Sequence, residues 1–170
     1  GLDDRLCVET EPFFQWVIED RFGAGRPDWE AGGAQLVADV APWEAAKLAM
    51  LNGSHSLIAW AGMLLGHDSV AEAVADPLLR ARVREHMRAA GAALPPGGPD
   101  AGHYAEQLLA RFDNPLLHHR TAQIAMDGSQ KVPLRWLDIA ERAAERGLPV
   151  APFELGVAVW LRWCDGCDEA

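Results

Sequence analysis

Four polar side chains interrupt an apolar stretch of the sequence at residues 43–65. They are Glu44, Lys47, Asn52 and His55. The stretch contains no proline and predicts one long helix. At about 100° per residue, the other three lie about 60°, 80° and 140° from Lys47, so all four share one face. An unpaired polar group buried in a protein costs on the order of 1–3 kcal/mol, so this grouping indicates a purpose.

That purpose could be the handling of a proton and of a developing negative charge. Oxidation of an alcohol needs a base for the hydroxyl proton and donors for the oxygen. Burial among apolar side chains favours the neutral amine of a lysine, which makes Lys47 a candidate base. Asn52 and His55 could bind the same oxygen, and Glu44 could pass protons to solvent. The spacing equally allows a structural reading, in which the charged groups reach water and His55 is a core histidine.

The elements that must position these side chains are mostly helices. Pro42 suits a first helical turn, and the apolar stretch that follows it predicts a helix buried in a bundle. Asp76 is a predicted N-cap, and Gly147 is a predicted stop. Further helices are predicted at residues 69–75, 77–90, 101–112, 116–126, 133–146 and 152–163.

The first forty residues follow a different pattern. Residues 13–18 and 35–40 are predicted to be short extended segments, with a turn at residues 23–27. The sequence therefore predicts a mainly α fold of about seven to nine helices at residues 41–170, preceded by a short extended N-terminal segment at residues 1–40. It has no G-x-G-x-x-G motif and no alternation of strands and helices, so it is not expected to bind a dinucleotide by itself.

The composition limits the kinds of partner that the chain is expected to bind. The chain has 170 residues and a net charge of −10, which argues against nucleic acids and anionic membranes. No apolar run approaches the roughly 18–20 residues of a membrane span. The start, Gly1-Leu-Asp-Asp4, is acidic where a signal peptide is basic. We therefore expect a cytoplasmic protein with no nucleic-acid or membrane partner, although the net charge does not exclude an anionic substrate.

The three cysteines offer an alternative chemistry. Cys164 and Cys167 form a C-x-x-C pair, and Cys7 is alone. A zinc site would need two more ligands, and a thioredoxin-type pair would open a helix instead of ending one. The odd count suits a reducing compartment, and we expect neither a metal nor a redox centre here.

A resemblance to a known family adds to this. The sequence Lys47-Leu-Ala-Met-Leu-Asn-Gly-Ser-His55 matches the K-x-x-x-x-N-x-x-H signature of the polyol-specific long-chain dehydrogenases, which include mannitol 2-dehydrogenase and fructuronate (mannonate) reductase. Further blocks resemble the same family, at residues 11–20, 39–44, 111–115, 124–131 and 155–160. The resemblance thus covers nearly the whole chain.

The resemblance implies a role for each of the four residues. Lys47 would be the general base in alcohol oxidation and the acid in ketone reduction. Asn52 and His55 would polarise the carbonyl and stabilise the alkoxide, and Glu44 would gate proton exchange with solvent. No metal would be needed. NAD would lie on an N-terminal Rossmann domain that this chain lacks, so the chain alone is expected to be inactive.

Substrate contacts are expected further along the chain. The resemblance implies that Arg120 or Lys131 binds a hydroxyl or carboxylate, although Gln123 could take the place of the arginine. Solvated or helix-end charges are the alternative for both. His118 and His119 are assigned to the surface.

Three functions follow as hypotheses. The first is a dehydrogenase domain that acts on a ketose or ketouronate, with mannitol and mannonate as the corresponding reduced forms. The second is a non-catalytic helical interaction or regulatory module derived from the same family. The third is a C-x-x-C redox protein.

Overall fold

A computed structural model describes residues 6, 11, 13–117 and 119–167. The chain divides into two compact units, Gly1–Ala38 and Asp39–Ala170. The smaller unit holds two parallel strands, β1 (Val17–Glu19) and β2 (Gln35–Val37). The strands confirm extended structure in both predicted segments, although each strand is only three residues long.

The larger unit is helical, which confirms the predicted mainly α fold with a short extended N-terminal segment. Its helices are α1 (Ala41–Leu65), α2 (Val70–Ala75), α3 (Pro77–Ala93), α4 (Ala101–Phe112), α5 (Thr121–Ala125), α6 (residues 128–145) and α7 (Ala151–Cys167). The predicted cap at Asp76 is confirmed, and the structure adds a cap at Ser69 that was not predicted. Ser69 and Glu72 form a capping box at α2, and the Asp76 carboxylate accepts hydrogen bonds from the first backbone amides of α3.

Helix α1 forms the centre of this unit. It packs against α2, α3, α5 and α7. The side chains of Leu57, Ile58 and Trp60 are buried completely or almost so. The Trp60 indole Nε1 donates to the Ala125 carbonyl at 3.0 Å, so even the polar atom of this large side chain is satisfied.

Helix α1 is also long and apolar enough, by length and composition, to cross a membrane. The expectation that no stretch meets this standard is therefore wrong. However, 61% of the apolar window is buried inside the domain. Packing against other helices thus accounts for most of its apolar surface, as in the core helix of a globular domain.

The predicted helix at residues 116–126 begins later than expected. The Val70 amide binds the His119 carbonyl at 3.0 Å, and the Thr121 amide binds the Asp68 carbonyl at 3.1 Å. This pairing across Ser69 and Arg120 holds the chain extended. Helix α5 can therefore start only at Thr121.

The predicted helix at residues 133–146 begins earlier than expected. Helix α6 starts at Gly128, and Pro133 lies inside it, where the turn Pro133–Leu137 is π-helical. A proline lacks the amide donor and crowds the preceding α turn, which a wider turn relieves. The predicted stop is confirmed at Gly147, which has φ +66°.

Candidate active site

Helix α1 is not uniform, and its irregular part carries the candidate residues. The turn Lys47–Asn52 is π-helical, and the Gly53 amide binds the Leu48 carbonyl five residues back. In a π turn, residue i+5 lies about where residue i+4 lies in an α-helix. Asn52 and His55 then fall about 40° and 20° from Lys47, instead of about 140° and 80°. The π turn therefore gathers the three residues onto a narrower stripe than an α-helix would.

His55 lies in a tight aromatic setting. Its ring packs on Phe112 of α4, with centroids 4.6 Å apart, and on His119 at 5.8 Å. Its Nε2 is buried without a hydrogen-bond partner among the described residues. Burial, with the nearby charges of His119, Arg111 and Arg135 adding to it, lowers the pKa of His55 to about 3. His55 is therefore neutral near pH 7, so its single N–H can donate a hydrogen bond to a ligand, but the ring does not take up a second proton.

Lys47 and Glu44 differ from His55 in being exposed, and Asn52 is half-buried. The prediction that Lys47 is shielded from water is therefore wrong for the described part of this chain. Shielding would have to come from a bound ligand or from another protein surface. Of the four side chains, Lys47 and Glu44 are the two most open to solvent.

The two expected substrate contacts lie on either side of α5. Arg120 is exposed immediately before this helix. Lys131 is half-buried, and its Nζ donates to the Ile124 carbonyl at 3.0 Å and to the Met126 carbonyl. Burial lowers the pKa of Lys131. Lys131 thus binds the last carbonyls around α5, and a substrate role for it or for Arg120 stays a prediction.

His119 was expected on the surface, and this is wrong. It is half-buried and packs its ring edge-to-face against His55. The extended pairing before α5 turns this residue toward α1, and nothing in the local sequence signals that pairing. His118 lies outside the described residues, and Gln123 is exposed.

Arg135 is a site residue that the sequence reasoning missed. Its Nη1 donates to the Asn52 carbonyl at 3.2 Å and to the Ser56 hydroxyl at 2.8 Å. The guanidinium is about half-buried, and burial lowers its pKa. A signal did exist: Arg135 lies four residues before Ile139, a core position of α6, so it shares the buried side of that helix.

Among the described residues, neither the cysteines nor a group of metal ligands forms a further reactive centre. Cys164 is half-buried inside α7. Cys7 and the side chain of Cys167 lie outside the described part. The described residues hold no group of three or more potential metal ligands. A metal-independent reaction stays a prediction of the sequence.

Comparison with known proteins decides the family. The sequence model of one protein family, the mannitol dehydrogenase C-terminal domain, matches residues 39–170. The chain belongs to this family. D-mannonate oxidoreductase of Escherichia coli strain K12 is 48% identical over 99% of this chain, which corresponds to 35% of that relative. The chain thus spans about a third of the curated relatives that it matches.

Two solved structures share the fold. The ternary complex of Pseudomonas fluorescens mannitol 2-dehydrogenase with NAD and D-mannitol has a TM-score of 0.79 and 37% identity, over 90% of this chain and 32% of that one. Substrate-free D-sorbitol dehydrogenase has a TM-score of 0.82 and 33% identity, over 89% and 32% respectively. The family resemblance of the sequence is thereby confirmed.

Proposed function

We propose that this chain is the catalytic, substrate-binding part of an NAD-dependent oxidoreductase that interconverts a sugar alcohol or sugar acid with its ketose. The observation that carries the proposal is the stripe of Lys47, Asn52 and His55 across the π turn of α1. Membership in the mannitol dehydrogenase family supports it. The protein would work in the cytoplasm, with the nicotinamide bound mainly by a Rossmann domain outside this chain.

Each side chain has one task in this mechanism. Lys47 takes the hydroxyl proton in the oxidation direction and returns it in reduction. Asn52 and the neutral His55 donate hydrogen bonds to the oxygen as negative charge grows on it. Glu44, exposed one turn before Lys47, exchanges protons with solvent. The nicotinamide supplies the hydride acceptor or donor when it is bound.

Positive charge near His55 favours an acidic substrate within this class. Arg111 and Arg135 lie close enough to His55 to help lower its pKa. Two cations beside the stripe suit the carboxylate of a ketouronate better than a neutral ketose. The 48% identity to D-mannonate oxidoreductase supports the same choice. We therefore favour fructuronate and mannonate over fructose and mannitol.

A substrate screen on the full-length protein that carries this chain tests the proposal. NADH consumption is followed with D-fructuronate, D-fructose and other ketoses, and NADPH is tried in parallel. We expect turnover with fructuronate at a kcat/KM about tenfold or more above that for fructose, a difference of about 1.4 kcal/mol. Absence of turnover with every ketose and both cofactors would contradict the proposal and favour a non-catalytic helical module.

A further inference from the structure

Side chains from outside α1 bind its backbone at and just after the π turn. His86 of α3 places Nε2 at 3.0 Å from the Ala49 carbonyl. Arg135 and Trp136 of α6 donate to the carbonyls of Asn52 and Gly53, each at 3.2 Å. Helix carbonyls are ordinarily satisfied within the helix, so three external donors over five residues mark an unusual segment.

The Ala49 carbonyl has a physical need for such a donor. Where a helix returns from i→i+5 to i→i+4 bonding, one carbonyl is left without an amide of the same helix. The Gly53 amide binds the Leu48 carbonyl, and the Ala49 carbonyl is the next along the chain. A carbonyl can only accept, so His86 must carry its proton on Nε2. His86 is fully buried, which lowers its pKa to about 4 and keeps it neutral at ordinary pH.

Gly53 makes the contact possible. A Cβ atom at this position would lie 2.7 Å from His86 Nε2 and 3.3 Å from the Arg135 carbonyl. The His86 ring cannot easily move away, since it is fully buried and also contacts Phe153, with centroids 5.4 Å apart. Glycine at position 53 is therefore required by close approach, although it has an ordinary helical φ of −62°.

We propose that His86 is a positioning residue that holds the π turn of α1 and so aligns Lys47 with Asn52 and His55. The inference rests on the proposed function for its catalytic readout, but its structural part stands independently. Without the donor, the π turn loses the bond that satisfies its spare carbonyl. Reversion to α geometry would rotate the two downstream residues by about 100° relative to Lys47.

Two substitutions in the full-length protein separate the hydrogen bond from the packing. His86→Gln can keep an amide donor near the position of Nε2, whereas His86→Met fills similar space without a donor. We expect kcat for the preferred ketose to fall about a hundredfold in His86→Met, because a displacement of catalytic groups by about 1 Å can lower the rate by about that factor. KM should change much less, and His86→Gln should stay within a few-fold of wild type. Val83→Ala, a core change one turn earlier in α3, should lower stability and leave kcat unchanged.

The results that would overturn this inference differ from those that would overturn the proposed function. A folded His86→Met protein with wild-type kcat overturns the inference. If His86→Met does not fold, Trp136→Phe removes the neighbouring donor to Gly53 and should also lower kcat more than KM; an unchanged kcat there overturns it. If the wild type turns over no ketose, amide exchange decides: the Gly53 amide should exchange at least about tenfold faster in His86→Met than in His86→Gln, and equal rates overturn the inference.

Discussion

His55 of α1 and His86 of α3 are both neutral imidazoles, the first half-buried and the second fully buried. Their pKa values are lowered to about 3 and about 4, first of all by burial. An unfolded chain would protonate both near pH 6.5. Between that pH and their folded pKa values, the unfolded state binds protons that the folded state does not. Their contribution to stability is therefore full above about pH 6.5 and is lost as the pH falls toward 3.

Replacing one of these histidines should change how stability depends on pH. His86→Gln removes one group that the unfolded state protonates, so the free energy of unfolding should fall less steeply from pH 6.5 to pH 4 than in wild type. Urea unfolding at a series of pH values measures the slope. His103→Gln, at an exposed position of α4, is the matched control and should leave the slope unchanged. Equal slopes in wild type and His86→Gln would contradict the assignment.

A second substitution should separate function from stability at His55. His55→Phe keeps an aromatic ring against Phe112 and removes the buried nitrogen that lacks a partner among the described residues. We expect stability to stay equal or rise, because an unsatisfied polar atom is lost. The kcat of the full-length protein should fall about 10²–10³-fold, as for removal of an oxyanion donor. Chemical unfolding and steady-state kinetics on one preparation provide both values. Loss of stability together with full activity would indicate a structural histidine instead.

At the scale of elements, local signals were enough for most of the fold. The N-cap at Asp76 and the stop at Gly147 each depend on residues close in sequence. The start of α5 could not be predicted, because the pairing of Ser69 with Arg120 joins residues about fifty positions apart. A tertiary contact decided that boundary, and no propensity of the local sequence opposed a longer helix.

The candidate site was predictable in type but not in geometry. The sequence placed Lys47, Asn52 and His55 on one face by assuming a regular helix. The π turn, held by His86 from α3, sets their actual alignment. His86 and Arg135 could not be identified as its supports, because their contacts with α1 join residues 37 and 83 positions apart. The exposure of Lys47 was missed because the apolar residues around it suggested burial on all sides.

Gly53 offers a direct test of the π turn as an element. Alanine in place of glycine inside a helix ordinarily stabilises by about 0.5–1 kcal/mol. At position 53 the new Cβ would lie 2.7 Å from His86 Nε2, so we expect destabilisation of about 1–3 kcal/mol instead. Gly166→Ala in α7 has open space around the new Cβ and should be neutral or stabilising. A gain of stability in Gly53→Ala, measured by urea unfolding, would show that the close contact is unimportant.

At the scale of the whole molecule, the chain holds one side of the proposed reaction. It spans about a third of its curated relatives, and Lys47 and Glu44 are exposed within it. A base acting on a bound alcohol works best when it is shielded from water, and that shield is expected from the domain that brings the nicotinamide. The site would then be complete only when both parts meet.

The isolated chain should accordingly be inactive. We expect the 170-residue chain to consume no NADH with any ketose that the full-length protein reduces. The comparison uses equal molar amounts and the same assay. Turnover by the isolated chain would show that it binds the nicotinamide unaided, contrary to its lack of a dinucleotide motif.

The central claim is that Lys47 moves the proton, and chemical rescue tests it most directly. The measurement is kcat of full-length Lys47→Ala with the preferred ketose, with and without added methylamine. We predict a loss of about 10²–10⁴-fold with the fold intact by circular dichroism, and partial recovery as methylamine replaces the missing amine. Wild-type turnover by Lys47→Ala would contradict the account.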